Sequence, residues 1–600
     1  MIGGGTTTTG AAAITSPGPN NAAGARNSRN LFTFTDGLQI IRGIHQFNVG
    51  GWFQKLQDNE NTASRRLGVA NFASLATFLQ GTTTTFQVVP NPTELAFRSW
   101  FGAWYVEDSM KLPHRLTFRA GLRHEFTTGW NEKFGRAANY ITDSNGVLLT
   151  DPQIGKSAFT KNNAKNLFGP RVALAWDPFG KGTTAVRAGF GMYYTLIDNL
   201  AFLLNSLPPA NGSVTFAGPL STFLPITPGI QPPPACGPGV TTTCSTFAPQ
   251  GIEGAAKTPT VNEWNLTVEQ QIGSSMAVRV GYVGSFGYHS LLSIDPNTIP
   301  AQICSSPAGC AVDAATTRVP QGTKYIPLLP TPPAPASSAR PNPYLGAGFF
   351  WFAAGNSSYN ALQLELMRRL SKGLQFRGNY TWAKNLDMNS ALTIAQAQNQ
   401  PQMVMDRNDL RRDWGPSALT PTNQASISAH YELPFGGTAS GIRKLAAGWQ
   451  LNAITTLLSG FPFTPQIGAN RSGDGNTRNP DRPDINPSFT GPVLLKQQSQ
   501  WFNPAAFSPP TVRTWGNLGR GTLRGPGLQT VDVSVIKNTS LTERVALQFR
   551  AECFNALNHP NLGPPNPIVF SGNSVSPSAG LITTLSTDSR RIQLGLKLIF

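Results

Sequence analysis

The last eleven residues, Arg590-Arg-Ile-Gln-Leu-Gly-Leu-Lys-Leu-Ile-Phe600, limit most sharply what this chain can become. Ile592, Leu594, Leu596, Leu598 and Phe600 share one face of a strand; Arg591, Gln593, Gly595 and Lys597 share the other, with Ile599 as the exception. A period of two gives a strand with one apolar and one polar face. In a soluble sandwich such a long, uncovered edge is an aggregation hazard. In a transmembrane barrel it is the closing strand, apolar side to lipid and polar side to lumen.

Upstream, strands arrive in pairs around short turns. The pairs are Leu31–Ile41 with Gln46–Leu56, Ser99–Met110 with Leu116–Phe126, Arg171–Trp176 with Ala185–Tyr194, and Val261–Gln270 with Ala277–Gly284. Tyr359–Arg368 with Leu374–Trp382, Gln424–Leu433 with Trp449–Leu458, and Thr530–Asn538 with Val545–Phe554 follow. Several alternate cleanly: Leu374, Phe376, Gly378 and Tyr380 oppose Gln375, Arg377, Asn379 and Thr381, and Leu547 and Phe549 oppose Gln548, Arg550 and Glu552. Arg and Glu inside a dry sandwich are costly, and a wet lumen removes that cost. Long polar segments separate the pairs, at 57–98, 127–167, 195–260, 285–358, 383–423, 459–528 and 555–589. Short turns alternating with long loops are the signature of an outer-membrane barrel. Trp100, Trp104, Trp176, Tyr193, Tyr194, Trp264, Trp382 and Trp449 are expected to form its aromatic girdle.

The fold class is therefore all-β, an antiparallel transmembrane outer-membrane β-barrel with short periplasmic turns and long extracellular loops. The count is about 15 strands, odd where bacterial single-chain barrels are even. A parent of roughly 22 strands would supply the rest. Residues 1–28 are polar and glycine-rich, without the basic start or apolar run of a signal peptide. They are expected to be a flexible extracellular loop of a longer parent, with 29–600 forming the carboxyl-terminal part of its barrel.

Composition agrees. The chain has 60 glycines, 49 prolines and 10% aromatic residues, suiting many strands joined by turn-rich loops. No run of about eighteen apolar residues marks a transmembrane helix. The formal net charge of +17 raises nucleic acid as a partner. The cations are dispersed, however, often one per strand beside Glu or Gln, so nucleic acid is set aside. Membrane lipid and anionic lipopolysaccharide are the expected surroundings.

Cys236 with Cys244 and Cys304 with Cys310 form two close pairs in Pro/Gly/Ser/Thr-rich segments, as expected of local disulfides in an oxidising compartment. Cys553 is expected to be a buried, unreactive thiol. Asp474, Asn476, Asp481 and Asp484 have the chemistry of a loop calcium site, with a solvated loop as the simpler reading. Gly155-Lys156-Ser157 ends like a phosphate loop but has Thr150 at the first glycine position. The six histidines lack metal spacing. No catalytic residue, cofactor or metal is assigned.

Specific wording then becomes visible. Asn166-Leu-Phe-Gly-Pro-Arg-Val-Ala-Leu-Ala-Trp-Asp-Pro-Phe-Gly180, Trp264-Asn-Leu-Thr-Val-Glu-Gln270, Tyr431-Glu-Leu-Pro-Phe-Gly436, Trp501-Phe-Asn-Pro-Ala-Ala-Phe507 and Glu543-Arg-Val-Ala-Leu-Gln-Phe-Arg-Ala-Glu552 occur in that order. Together they resemble the barrel of Oar-like TonB-dependent receptors, over nearly everything from residue 30 to 600. The resemblance implies energy-coupled uptake of an unidentified ligand across the bacterial outer membrane. It also implies a TonB-type energy coupler acting through a plug that is not recognisable here, and an assembly machinery that reads the terminal strand. Extracellular ligand contact falls to the loops, with Phe349 to Phe352 as candidates, although anchoring at the membrane interface is their simpler role. A non-transporting adhesin or scaffold barrel is the alternative.

Overall fold

The computed structural model describes the chain except residues 1, 5–23, 62, 64, 90–91, 198–209, 213, 223–235, 241–243, 245–246, 315, 331–338, 392–400, 402, 436–445, 477 and 479–480. One antiparallel wall dominates it. Its strands are β1 (Arg26–Arg42), β2 (His45–Asn61), β3 (Leu95–Leu112), β4 (Leu116–Thr127) and β5 (Leu167–Trp176). Next come β6 (Thr184–Tyr194), β7 (Thr260–Ile272), β8 (Met276–Ile294), β9 (Phe349–Ser371) and β10 (Leu374–Asp387). The last are β11 (Asn423–Glu432), β12 (Trp449–Leu458), β13 (Leu528–Ser540), β14 (Ala546–Phe554) and β15 (Arg591–Ile599). Each of these pairs with its neighbours in chain order, from β1 to β15. Three short loop segments, 131–132, 250–252 and 415–416, join the same sheet at its long-loop end.

The register gives the wall two chemically distinct faces. Leu547, Phe549, Ala551 and Cys553 lie opposite Leu598, Leu596, Leu594 and Ile592. Gln548, Arg550 and Glu552 lie opposite Lys597, Gly595 and Gln593. Ile592, Leu594 and Leu596 are each about 70% exposed, and Phe600 is 88% exposed, which an apolar surface tolerates in lipid and not in water. Cys553 is half-buried on this apolar face, so the expectation of a buried thiol is corrected. The short turns use residues suited to tight reversal. Lys372-Gly373 has positive φ at both positions (50° and 78°), the backbone of a two-residue hairpin whose twist matches its strands.

The outer edges of β1 and β15 pair with nothing among the described residues. The sheet is open. The first strand begins at Arg26, paired with Asn61, earlier than the Leu31 expected, because β2 offers backbone partners up to that point. Residues 26–28 therefore belong to the wall; the rest of the expected flexible segment, except Ile2–Gly4, Gly24 and Ala25, lies outside the described residues. Ile2–Gly4 pairs in parallel with Val69–Phe72 in a small loop sheet.

At the long-loop end the strands overrun any bilayer. β9 has 23 residues, where about 9–11 suffice to cross. The connecting segments do not remain solvated loops but pack into a cap. One core gathers Phe97, Trp130, Tyr140, Ile252, Phe350 and Trp351; another gathers Phe463, Ile467, Phe502, Phe507, Val569 and Phe570. Each fully buried side chain of this size contributes on the order of 2–3 kcal/mol. Phe349, Phe350 and Trp351 are 4%, 2% and 2% exposed. They are cap core, and neither ligand contact nor interface anchoring describes them. Among the described residues no helix is long and apolar enough to cross a membrane, which says nothing of strands.

Candidate functional site

Two polar systems stand out, one on the wall and one in the cap. On the polar face of the wall, five strands align alternating charges at one height. Arg187 on β6 meets Glu269 on β7 at 2.5 Å, and Glu269 meets Arg279 on β8 at 2.7 Å. Arg279 meets Glu365 on β9 at 2.9 Å, and Glu365 meets Arg377 on β10 at 2.5 Å. Arg187, Arg279 and Arg377 are each three residues from the short-turn end of their strand, which is why antiparallel pairing brings them level. That spacing was readable in the sequence and was missed. Further round the same face His430 Nδ1 lies 2.7 Å from Asn452 Oδ1, and Asn452 Nδ2 donates to Ser534 Oγ at 3.1 Å. Tyr193 also lies on the polar side, 4.5 Å from the Arg171 guanidinium, so it leaves the expected girdle. Trp104, Trp176, Trp264, Trp382 and Trp449 follow the apolar register.

The cap holds its charges dry. Arg482 donates to Asp413 at 2.9 Å, with side chains 1% and 2% exposed. Arg520 pairs with Asp387 and donates through Nε to the Asp413 carbonyl at 2.6 Å. Arg340 donates to Asp295 at 3.0 Å and to the Asn297 carbonyl at 3.1 Å. Asn342 Nδ2 then donates to the Leu148 carbonyl at 2.8 Å, so segments almost two hundred residues apart are tied together. Buried charges persist only when paired and hydrogen-bonded in this way.

The candidate calcium residues do not converge. Asp474 Oδ1 accepts from Asn470 Nδ2 at 2.6 Å and from the Asn476 N–H at 2.8 Å. Asp481 accepts from the Ser472 N–H and Oγ, whereas Asp484 accepts from the Asn517 N–H elsewhere. The loop is not solvated either, since Asp474, Asn476 and Asp481 are at most 2% exposed. Burial, with Asp474 close by, pushes the Asp481 carboxyl up to about 7, against the pull of its hydrogen bonds from Ser472. Burial also raises Asp474 and Asp295. Among the described residues no group of three His, Cys, Asp or Glu is arranged to hold a metal.

Both expected cysteine pairs are joined in the structure, Cys236 to Cys244 and Cys304 to Cys310, with Cα atoms 4.9 and 5.7 Å apart. Both lie in the long-loop segments. Where cap meets wall, a cleft of about 440 Å³ opens among Leu419, Phe461, Phe463, Pro526, Leu562 and Pro564. Its lining is mostly apolar, and its two hydroxyls are engaged: Ser390 Oγ donates to the Asp387 carboxylate at 2.9 Å and accepts from Arg520 at 3.0 Å, and Ser586 Oγ donates to the Leu562 carbonyl at 3.0 Å.

Against known proteins, a family model described as "Outer membrane beta barrel domain" matches residues 2–593. Among solved structures, the outer membrane transporter YddB from Escherichia coli is similar at TM-score 0.52 and 11% identity, over 96% of this chain and 55% of that one. The ferric enterobactin receptor PfeA from Pseudomonas aeruginosa has TM-score 0.45 and 10% identity, over 96% and 54%. The siderophore receptor PirA from Acinetobacter baumannii has TM-score 0.44 and 8% identity, over 96% and 55%. The chain thus spans about 55% of the length of these structures. No curated protein matches it.

Proposed function

The chain belongs to the outer membrane beta barrel domain family, and from that premise we propose that it forms most of the wall and the extracellular cap of a TonB-dependent uptake receptor. The open sheet is the observation that carries this reading. β1 and β15 both run from the long-loop end to the short-turn end, so joining them directly would make a parallel pair. An antiparallel wall closes only through an odd number of further strands whose two outer members run the other way. Seven such strands give the roughly 22 of a plugged transporter barrel. The ion-pair ladder then faces a lumen wide enough to hold a separately folded plug, and the cap supplies the outward surface on which a ligand is first held. The terminal strand is the handle for barrel assembly, and a TonB-type coupler acts through the plug rather than through this wall.

The test is uptake. Cells lacking the gene are compared with cells lacking the energy coupler, and solutes left in the medium are profiled. The same solute should stay outside in both. Unchanged uptake with altered surface attachment in the gene-deleted cells alone would reject transport in favour of an adhesin barrel.

A further inference from the structure

The short-turn rim carries exposed cations that the wall itself does not neutralise. Arg42 and Lys111 flank the first two turns, Lys181 stands in the third, Arg369 and Lys372 stand at the fifth, and Arg544 at the seventh. All six are exposed, and none ion-pairs with a carboxylate among the described residues. Two acids share these turns. Asp177 is occupied, accepting from the N–H groups of Gly180 and Gly182 at 2.9 and 3.0 Å and meeting Arg115 at 3.4 Å. Glu543 is the other, beside Arg544.

Aromatic side chains fix the depth of this rim. Trp176 is the last residue of β5 and Trp449 the first of β12; both follow the apolar register, and Tyr431 does so one residue from the end of β11. The Lys537 amine lies 5.1 Å over the Trp449 ring. Indole and phenol rings settle at headgroup level, so the turns beside them sit among headgroups. Cations there are attracted to an anionic leaflet.

We propose that this rim binds the anionic phospholipids of the periplasm-facing leaflet, phosphatidylglycerol in chemistry, as a selective annulus. The arrangement favours a lipid over a compact partner. The cations are spread over five turns around the wall rather than gathered into one patch, which matches a ring of headgroups. The inference rests on the orientation in the proposed function, with short turns periplasmic.

The test reconstitutes the chain within its closed parent barrel in nanodiscs containing phosphatidylcholine with about one part in four of phosphatidylglycerol, then counts retained lipids by native mass spectrometry. Wild type should hold phosphatidylglycerol at least about twofold above its bulk fraction. Enrichment should collapse toward the bulk fraction at about 0.5 M salt, where the Debye length is only a few ångströms. The combined variant Arg42→Gln, Lys181→Gln, Arg369→Gln, Lys372→Asn should lose the enrichment, whereas Arg377→Gln inside the wall should keep it. Bulk-level phosphatidylglycerol around wild type overturns the proposal, as it would if the rim served an acidic periplasmic protein. Equal enrichment in the combined variant also overturns it. If that variant does not fold, salt-insensitive enrichment in wild type overturns it instead. Ser274→Cys distinguishes failure of the orientation: labelling by an impermeant maleimide from outside intact cells would reject the topology itself.

Discussion

Wall and cap use the same chemistry, Arg against carboxylate, in opposite solvents. On the wall, Arg187, Arg279 and Arg377 are about half exposed while paired to Glu269 and Glu365. In the cap, Arg482 and Arg520 are 1% and 2% exposed. A wet pair gains up to about 1 kcal/mol, because water competes for both ions. Breaking a dry pair costs about 3–5 kcal/mol, because the survivor is left charged and unsolvated. The wall therefore owes its form to its two-faced register, and the cap owes its form to specific long-range partners.

The largest expected effect is in the cap. Arg482→Met should destabilise by about 3–5 kcal/mol, read as early loss of fluorescence from the buried Trp130 and Trp351 on heating. Adding Asp413→Leu should recover only part, since the Met405 N–H loses its 2.9 Å acceptor. A shift below about 1 kcal/mol would mean the cap is wetter than its burial indicates.

Next is the wall's apolar face. Val533 and Ser534 are adjacent near the middle of β13 but belong to opposite faces, opposite Ala453 and Asn452 respectively. Leu547 is a poorer probe, because it is the second residue of β14 and sits by the short turn. Val533→Arg should cost about 2–4 kcal/mol in folding of the closed parent barrel from urea into vesicles, where a cation meets hydrocarbon. Ser534→Arg should cost far less. Equal costs would remove the distinction between the two faces.

What was legible in the sequence divides along the same line. All of the wall strands could be read, since a sheet between lipid and a polar interior must alternate residue by residue, as Leu374 to Thr381 do. The cap could not be read that way. Arg520 finds Asp387 across 133 residues, and Asn342 finds Leu148 across 194. No local period encodes such pairs. One local signal was available: Phe349 to Phe352 are four consecutive aromatic residues without alternation, the mark of a strand covered on both faces. The acidic run from Asp474 to Asp484 misled because spacing cannot tell protein donors from a cation.

Acidity separates the regions further. Burial holds the Asp481 carboxyl near 7 when folded, well above its ordinary value of 3.8. The folded protein thus keeps this proton to higher pH than the unfolded chain. That contribution is fully present below about pH 4 and is lost as pH rises through 7. Between pH 5 and 7 the cap should lose on the order of 2 kcal/mol, and Asp481→Asn should flatten the dependence. Melting temperatures across that range check it; a slope unchanged in the variant would place the titration elsewhere.

The smallest expected effect decides whether the comparison holds. Arg377→Gln removes the end of the wall's ladder, yet Glu365 keeps Arg279 at 2.9 Å, and both guanidinium groups already meet solvent. The cost should stay below about 1 kcal/mol. It should also vanish in about 1 M salt, where the Debye length falls to roughly 3 Å. The loss from Arg482→Met should survive that salt, because ions do not enter a dry core. Chemical denaturation of the two variants at low and high salt therefore reads the solvent on each side of the molecule. A salt-resistant loss at Arg377 as large as that at Arg482 would make the polar face as dry as the cap, and the contrast between wall and cap would fail.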